Sequence, residues 1–499
     1  MRQKITADTI IISAFSLILQ GLSIALNIAV TRQLGESAVG VLSLVSQFFV
    51  FAITLSGGNI FVISSRFISE EIGRKGNVEK ILIFCLISGL TLSFIFSGTI
   101  FALSSRIIDE FMEGKGSIAA IRIMALSLPL ATTGSCIKGY FHARRIVLIP
   151  CISEFTEFFV KGASLLSMIT LFAKNGKADI FTCSAVSLML GEAVSCIMLC
   201  VFYVKERLPK AEVPPKISFG EFLKLSAPIT LGAYIFVLLS ATNEALVPIT
   251  LKSFSGSAET ALSQYGIFEG IIMPVIFFPS VLLQSLSVIL VPEIARENKG
   301  FCPLNVRKVS KRAISQAFST AFISAMFIFS FGGEIGALLS ESPLASKTLT
   351  IICPVIPFIY IEIVTESILK GLGRQKFCII NSAAEYLIRI SCVVVFVRII
   401  GFYGVIVSYF ASNIICNTIR IIAVHKLTGL RFDFVGNILV PLFSAAAATK
   451  LSSMLYEVMK NGSAVTLIIS GAFSLLCFIL LNEVLQRFCN EKEQTAVEG

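Results

Sequence analysis

Ser135-Cys-Ile-Lys-Gly139, followed by a basic turn and then Glu154, returns 232 positions later as Ser367-Ile-Leu-Lys-Gly371, followed by a basic turn and then Glu385. Both copies lie between long apolar runs, and one residue of slack separates their turns. A membrane chain that repeats itself across its midpoint is built from two similar bundles. The question then becomes what the chain carries rather than which reaction it catalyses.

Working outward, the 499 residues are 55% hydrophobic and 14% charged, with a mean hydropathy of +0.87. Ordinary soluble domains carry about 25% charged residues. A spanning helix needs roughly 20 apolar residues. Fourteen such runs follow one another: 8–31, 40–63, 81–104, 117–137, 152–173, 180–204, 222–250, 262–291, 313–333, 347–369, 379–399, 402–424, 434–455 and 463–485. The fold class is therefore an all-α integral membrane protein of about fourteen helices. Arg2 and Lys4 precede the first run as in a signal peptide, but that run is long and holds Gln20 and Asn27, so it reads as a retained helix.

The net charge of +10 does not indicate nucleic acid, because the basic residues gather in loops on one side. Arg122, Lys161 and Arg389 are singled out inside the predicted spans. By the positive-inside rule both termini are cytoplasmic, in agreement with an even helix number. The thirteen Cys form no Cys-x-x-Cys motif, and Cys196 and Cys200, on one helix face, read as small packing residues. No Trp is present, so Tyr, Phe, Lys and Arg must anchor the interfaces.

The longest charged, Pro-containing connector covers 206–221. It divides the chain into an N-lobe at 1–205 (helices one to six) and a C-lobe at 222–430 (seven to twelve). Helices thirteen and fourteen follow at 431–487, and a cytoplasmic tail at 488–499. Six helices per lobe put both lobes in the same orientation, related by an axis along the membrane normal. In the repeated stretch, Gly139 and Gly371 read as helix C-termini that want a positive φ, with Lys138 and Lys370 complementing the helix dipole. A further basic cluster, Arg307-Lys308 with Lys311-Arg312, opens span nine and suits anionic head groups or a topology signal.

Ionisable groups in hydrocarbon are costly and face a bundle interior or a wet cavity. Span four has Arg122, span five Glu154, Glu157 and Lys161, and span six Glu192. Span seven has Asn243 and Glu244, span eight Glu269, span ten Glu362 and Glu366, and span eleven Glu385 and Arg389. Arg32 ends span one. Glu157 with Lys161, and Glu385 with Arg389, are four apart and share a face. Each pair reads either as a self-neutralising device or as a cationic contact for an anionic substrate. Glu244, Glu269, Glu362 and Glu366 have no obvious base one turn away and suit proton or cation coupling, or else a carboxylic acid held neutral or paired with Arg122 across the cavity. Pro129, Pro228, Pro274, Pro279, Pro354 and Pro357 predict kinks.

The chain lacks G-x-x-x-x-G-K-[ST], H-E-x-x-H and G-x-S-x-G. Its only His are His142 and His425, and its four Asp (Asp8, Asp109, Asp179 and Asp433) are never paired. No catalytic residue, metal site or cofactor is assigned, and the chain reads as a non-enzyme.

Four motifs carry a family resemblance. Asn27-Ile-Ala-Val-Thr-Arg32-Gln-Leu-Gly35-Glu36 with Gly40 resembles the end of the first helix in polysaccharide transporters. Ser64-Ser-Arg66-Phe-Ile-Ser-Glu70-Glu71 with Gly73 and Gly76-Asn77 resembles the loop after their second helix. Gly139-Tyr140-Phe141 resembles a turn after helix four, and Phe278-Pro279 through Leu290-Val291-Pro292-Glu293-Ile294 to Glu297 resembles the end of helix eight. In this order they look like the stage V sporulation protein B branch of the multidrug/oligosaccharidyl-lipid/polysaccharide exporter superfamily, over residues 1 to about 430.

That resemblance implies a two-lobe transporter of the bacterial cytoplasmic membrane. It would flip polyprenyl-pyrophosphate-linked sugars, such as peptidoglycan or polysaccharide precursors, from the inner to the outer leaflet by alternating access. Membrane lipids would be its surroundings, H+ or Na+ candidate coupling ions, and a monomer the expected state. The lipid II flippase branch carries cavity arginines in helices one and two. Here Gln20 and Ser56-Gly-Gly-Asn59 stand near those places, leaving Arg32, Arg122, Lys161 and Arg389 as the cations for a diphosphate. The alternative is a cation-coupled multidrug antiporter of the same superfamily, served by the carboxylates of spans seven, eight and ten.

Overall fold

The computed structural model describes residues 2–74, 76–111, 117–173, 179–207, 217–299, 303–340, 342–430, 434–459 and 464–498. Most of the connector at 206–221 lies outside them. The described chain is helical: α1 (Arg2–Leu34), α2 (Glu36–Gly57), α3 (Ile60–Gly73), α4 (Val78–Ala102), α5 (Ser104–Phe111), α6 (Ile118–Ala143), α7 (Leu148–Met168), α8 (Ile180–Glu206), α9 (Phe219–Ser255), α10 (Ala258–Tyr265), α11 (Met273–Phe277), α12 (Val281–Lys299), α13 (Pro303–Leu339), α14 (Pro343–Ile352), α15 (Ile356–Gly371), α16 (Gln375–Ile400), α17 (Phe402–Thr428), α18 (Val440–Met459) and α19 (Ala464–Glu498). Single π-helical turns join α7 at its end, α10 to α11, and α18 at its start. No strand occurs among the described residues, as expected where lipid cannot satisfy an open sheet edge.

Among the described residues, thirteen helical stretches are long and apolar enough to cross a membrane, against the fourteen expected. The difference is α16, whose 26 residues reach about 39 Å at 1.5 Å per residue. It carries Lys376, Glu385, Arg389 and Arg398 along an otherwise largely apolar length.

Packing gathers the chain into two compact units. The first comprises Met1–Leu19 and Ser37–Leu246, the second Gln20–Glu36 and Val247–Gly499. The connector at 206–221 follows the covalent chain, whereas these units follow contacts, so α1 and α9 each contribute to both.

In the first unit the second membrane crossing is broken. α2 stops at Gly57, Gly58 and Asn59 take φ of 56° and 60°, and α3 starts at Ile60. A break in hydrocarbon frees carbonyls that must be repaid locally. The Tyr234 hydroxyl donates to Leu55 O at 2.8 Å, and Thr230 Oγ1 to Gly58 O at 3.1 Å, both from α9. The same helix plugs its first turn into the core, where fully buried Phe222 lies 5.1 Å from the Phe67 ring.

The second unit breaks its corresponding helix. α11 ends at Phe277 and α12 begins at Val281, with Pro279 between them. Tyr360 of α15 donates to Ile276 O at 2.8 Å. α18 and α19 pack through small residues, with Ser444, Ala445, Ala448 and Ser452 buried and Ser452 Oγ donating to Ser470 O at 2.6 Å. Small side chains let membrane helices approach closely, which dispersion then rewards.

The repeated glycines have a different role from the one expected. Neither Gly139 nor Gly371 has a positive φ. They are contact points. A Cβ on Gly139 would lie 2.7 Å from Phe61 O of α3, and one on Gly371 would lie 2.9 Å from Val291 O of α12. In both units the fourth crossing therefore touches the backbone of the second. The left-handed residues come later, at Arg145 (φ 59°) and Gly373 (φ 75°). Each is followed by an amide reaching back five residues, Ile146 N to Phe141 O at 3.0 Å and Arg374 N to Leu369 O at 2.9 Å. That is the Schellman closure of a helix end.

Candidate functional site

Each unit gathers a polar cluster where its fourth, fifth and sixth crossings meet. In the first unit, Lys138 Nζ of α6 lies 3.2 Å from Glu157 Oε2 and 3.9 Å from Glu154 Oε1 of α7. Lys161 follows Glu157 by one turn and interacts electrostatically with both Glu157 and Glu192 of α8. α7 and α8 come close because of Gly191, where a Cβ would sit 3.0 Å from Glu157 O and 3.2 Å from Lys161 Cβ. Ser153 and Ser195 complete the contact through a 2.6 Å hydroxyl pair. Three carboxylates thus share two ammonium groups.

The second unit answers with guanidinium. Arg420 of α17 is fully buried. Its Nη1 lies 3.0 Å from Glu362 Oε1 of α15 and 3.1 Å from Glu385 Oε2 of α16. It also donates to Asn417 Oδ1 at 2.6 Å, and Nη2 donates to Ser382 Oγ at 3.1 Å. The other oxygen of Glu385 holds Arg389 Nη2 at 2.8 Å. Arg389 donates through Nε to Ser412 Oγ at 3.2 Å, and its Cζ stacks 4.1 Å from the Tyr409 ring centroid. The Tyr409 hydroxyl in turn donates to Glu269 Oε1 at 3.2 Å. Glu269 sits in the π-helical turn Gly266–Ile272, whose Gly270 O accepts from Asn27 Nδ2 at 2.6 Å. A chain of polar contacts therefore runs from Glu269 to Glu362 across four helices.

The residues expected from the sequence divide accordingly. Glu154, Glu157 and Lys161 meet in one cluster, and Glu269, Glu362, Glu385 and Arg389 in the other. Glu366 bonds Lys370 of its own helix at 2.8 Å. Both acids of span ten thus have basic partners, against the expectation of none one turn away: Glu366 pairs with Lys370 one turn on along α15, and Glu362 reaches across to Arg420 of α17. The repeat mates Lys138 and Lys370 differ: the first reaches across to α7, the second turns back along α15. Glu244, half-buried on α9, is also engaged with a partner.

Arg122 and Arg32 lie elsewhere. Arg122 donates to Ser104 Oγ at 3.2 Å and stacks 5.0 Å from the Phe101 ring centroid. Sixteen residues separate it from Lys138, about 24 Å along α6. Arg32 is exposed in the last turn of α1, complementing its dipole.

Arg420 was not singled out from the sequence, although it falls within span 402–424. The signal was a polar stripe, Tyr409, Asn413, Asn417 and Arg420, at helical spacing down one face of α17. Away from the polar clusters, the second unit holds an apolar cavity of about 260 Å³, walled by Ile24, Phe278, Pro279, Ile323, Phe327 and Leu475.

With this geometry in view, residues 5–297 match the family model described as polysaccharide biosynthesis protein. The chain belongs to that family. Residues 234–395 also match the MatE family model. Stage V sporulation protein B of Bacillus subtilis (strain 168) is 22% identical over 400 residues, covering 78% of this chain and 77% of that protein. A solved structure of the lipid II flippase MurJ in an inward closed conformation superposes with a TM-score of 0.72 at 13% identity, covering 96% of this chain and 99% of that one. An inward-facing multidrug resistance MATE transporter gives a TM-score of 0.67 at 14% identity, covering 83% of this chain and 94% of that one. This member of the polysaccharide biosynthesis family is therefore a multi-pass bacterial membrane protein with the two-lobe exporter fold.

Proposed function

We propose that this chain is a flippase that moves a polyprenyl-pyrophosphate-linked oligosaccharide, or a peptidoglycan or polysaccharide precursor, from the inner to the outer leaflet by alternating access. The observation that carries the reading is Arg389. It is a guanidinium at mid-helix, 11% exposed, held by a carboxylate that also contacts Arg420. An incoming diphosphate can replace Glu385 at Arg389 while Glu385 keeps Arg420, which it shares with Glu362, and a diphosphate leaving water needs such fixed cations. Lys161 plays the matching part in the first unit, with Arg122 and Arg32 as cations further along the path. The apolar cavity beside α19 suits a stretch of hydrocarbon tail.

The alternative, a cation-coupled multidrug antiporter, asks for carboxylates open to a cationic substrate. Glu362, Glu366 and Glu385 instead each hold a base. The flippase fold also covers 96% of the chain and the multidrug fold 83%.

In the same reading the lobes are 1–205 and 222–430, joined by 206–221. The helix pair 431–487 and the tail 488–499 follow. Both termini face the cytoplasm, the protein works as a monomer, and it carries out no chemistry on its cargo. Reconstitution in liposomes tests the function, by following leaflet exchange of a labelled polyprenyl-pyrophosphate sugar. Exchange above that of empty vesicles is expected, and equal rates would refute the reading.

A further inference from the structure

The surroundings of Arg420 fit its planar fork poorly. One nitrogen, Nη1, carries two hydrogens and has three oxygens around it: Glu362 Oε1 at 3.0 Å, Glu385 Oε2 at 3.1 Å and Asn417 Oδ1 at 2.6 Å. Nε, by contrast, is buried with no partner. An arginine placed for bidentate recognition would share its five donors among acceptors in the plane of the fork. Here the acceptors crowd one point instead. Two carboxylates, an amide oxygen and the nearby Ser382 hydroxyl are the ligand types of a hard cation.

The geometry points to Arg420 as a tethered cation. Its guanidinium fills the oxygen shell that a diffusible alkali cation would otherwise take in the second unit, so this unit holds its charge balance without one. Two further observations agree. The four ion-paired members Glu362, Glu385, Arg389 and Arg420 balance as a set, with Glu269 joined to them only through the Tyr409 hydroxyl, so a monovalent cation bound beside Arg420 would add a net charge to the ion-paired groups. Among the described residues, no group of three or more His, Cys, Asp or Glu side chains forms a separate metal cage. The first unit has no counterpart. There the base of the fourth crossing, Lys138, faces acids on the fifth, whereas in the second unit the acid of the fourth crossing faces a base on the sixth.

The inference deepens the transporter reading, on which it rests, by removing Na+ as a ligand of this site. Its test measures binding rather than transport, so it can fail while leaflet exchange stands. Melting temperatures of the purified protein in nanodiscs are compared in NaCl and in choline chloride at equal ionic strength. Wild type and Arg420→Lys are expected to melt at the same temperature in both salts. Arg420→Gln is expected to melt lower in choline chloride and to recover with Na+ along a saturation curve. Adding Glu385→Gln to Arg420→Gln is expected to abolish that recovery. A saturable Na+ shift in wild type that Glu362→Gln removes overturns the inference, as does an Arg420→Gln protein indifferent to Na+. If Arg420→Gln does not fold, radioactive Na+ binding to wild type decides. No saturable site supports the tethered cation, and a site lost in Glu362→Gln refutes it.

Discussion

Arg145 and Arg420 illustrate two ways in which a single residue was and was not legible. The sequence located the basic turn after the repeated motif but placed the left-handed backbone at the glycine within it. The helix in fact runs on to Ala143, and the left-handed position falls to Arg145. A non-glycine residue there costs roughly 1 kcal/mol or more. Arg145→Gly is accordingly expected to stabilise the protein by about 0.5–1 kcal/mol, read as a rise in melting temperature. A fall would mean that the Arg145 side chain makes a contact worth more than the strain. Arg420 was hidden for a different reason: its meaning depends on α15 and α16 lying against α17, a non-local fact that composition does not carry. At this scale the functional reading also makes a demand. Lys161→Ala and Arg389→Ala are each expected to lower leaflet exchange at least tenfold while insertion into the membrane is unchanged. Wild-type rates in both would reduce the two pairs to charge neutralisation of their own helices.

At the scale of elements, apolar runs located the membrane crossings, because a bilayer imposes length and hydrophobicity on each helix separately. The interruptions were less legible. Pro279 predicted a kink where α11 gives way to α12, but 40–63 read as one span, with no break foreseen at Gly57-Gly58-Asn59 between α2 and α3. What completes both breaks, tyrosines from α9 and α15, comes from distant sequence. The pairing of α6 with α3 rests on a hydrogen-sized side chain. A Cβ on Gly139 would lie 1.8 Å from Ser64 Oγ as well as 2.7 Å from Phe61 O. Overpacking costs typically 1–3 kcal/mol, so Gly139→Ala should destabilise by about 2–3 kcal/mol in reversible unfolding. Gly98→Ala on α4 is the control, since nothing lies within 4 Å of its added Cβ. It should be neutral or slightly stabilising. Equal effects at both positions would dismiss the close contact.

For the whole molecule, the two-lobe architecture was readable because one motif recurs across the midpoint. Sidedness itself is testable. Eleven cysteines are buried or half-buried, so with Cys302 and Cys489 replaced by Ser, a cysteine added at either terminus should dominate labelling by a membrane-impermeant maleimide. Both added thiols are expected to be protected in intact cells and labelled in inverted vesicles. Labelling of either in intact cells would reverse the orientation. The glycine contacts also bear on how such a molecule can deform. α3 is pinned to α6, and α12 to α15, through backbone atoms that have no slack. Each pair must then travel as a stiff plate. The breaks at Gly58-Asn59 and at Phe278-Ser280 lie just ahead of those plates, so the halves that precede them, α2 and α11, are the compliant ones. Bending stress in each lobe would collect at one known joint rather than spread along the helix.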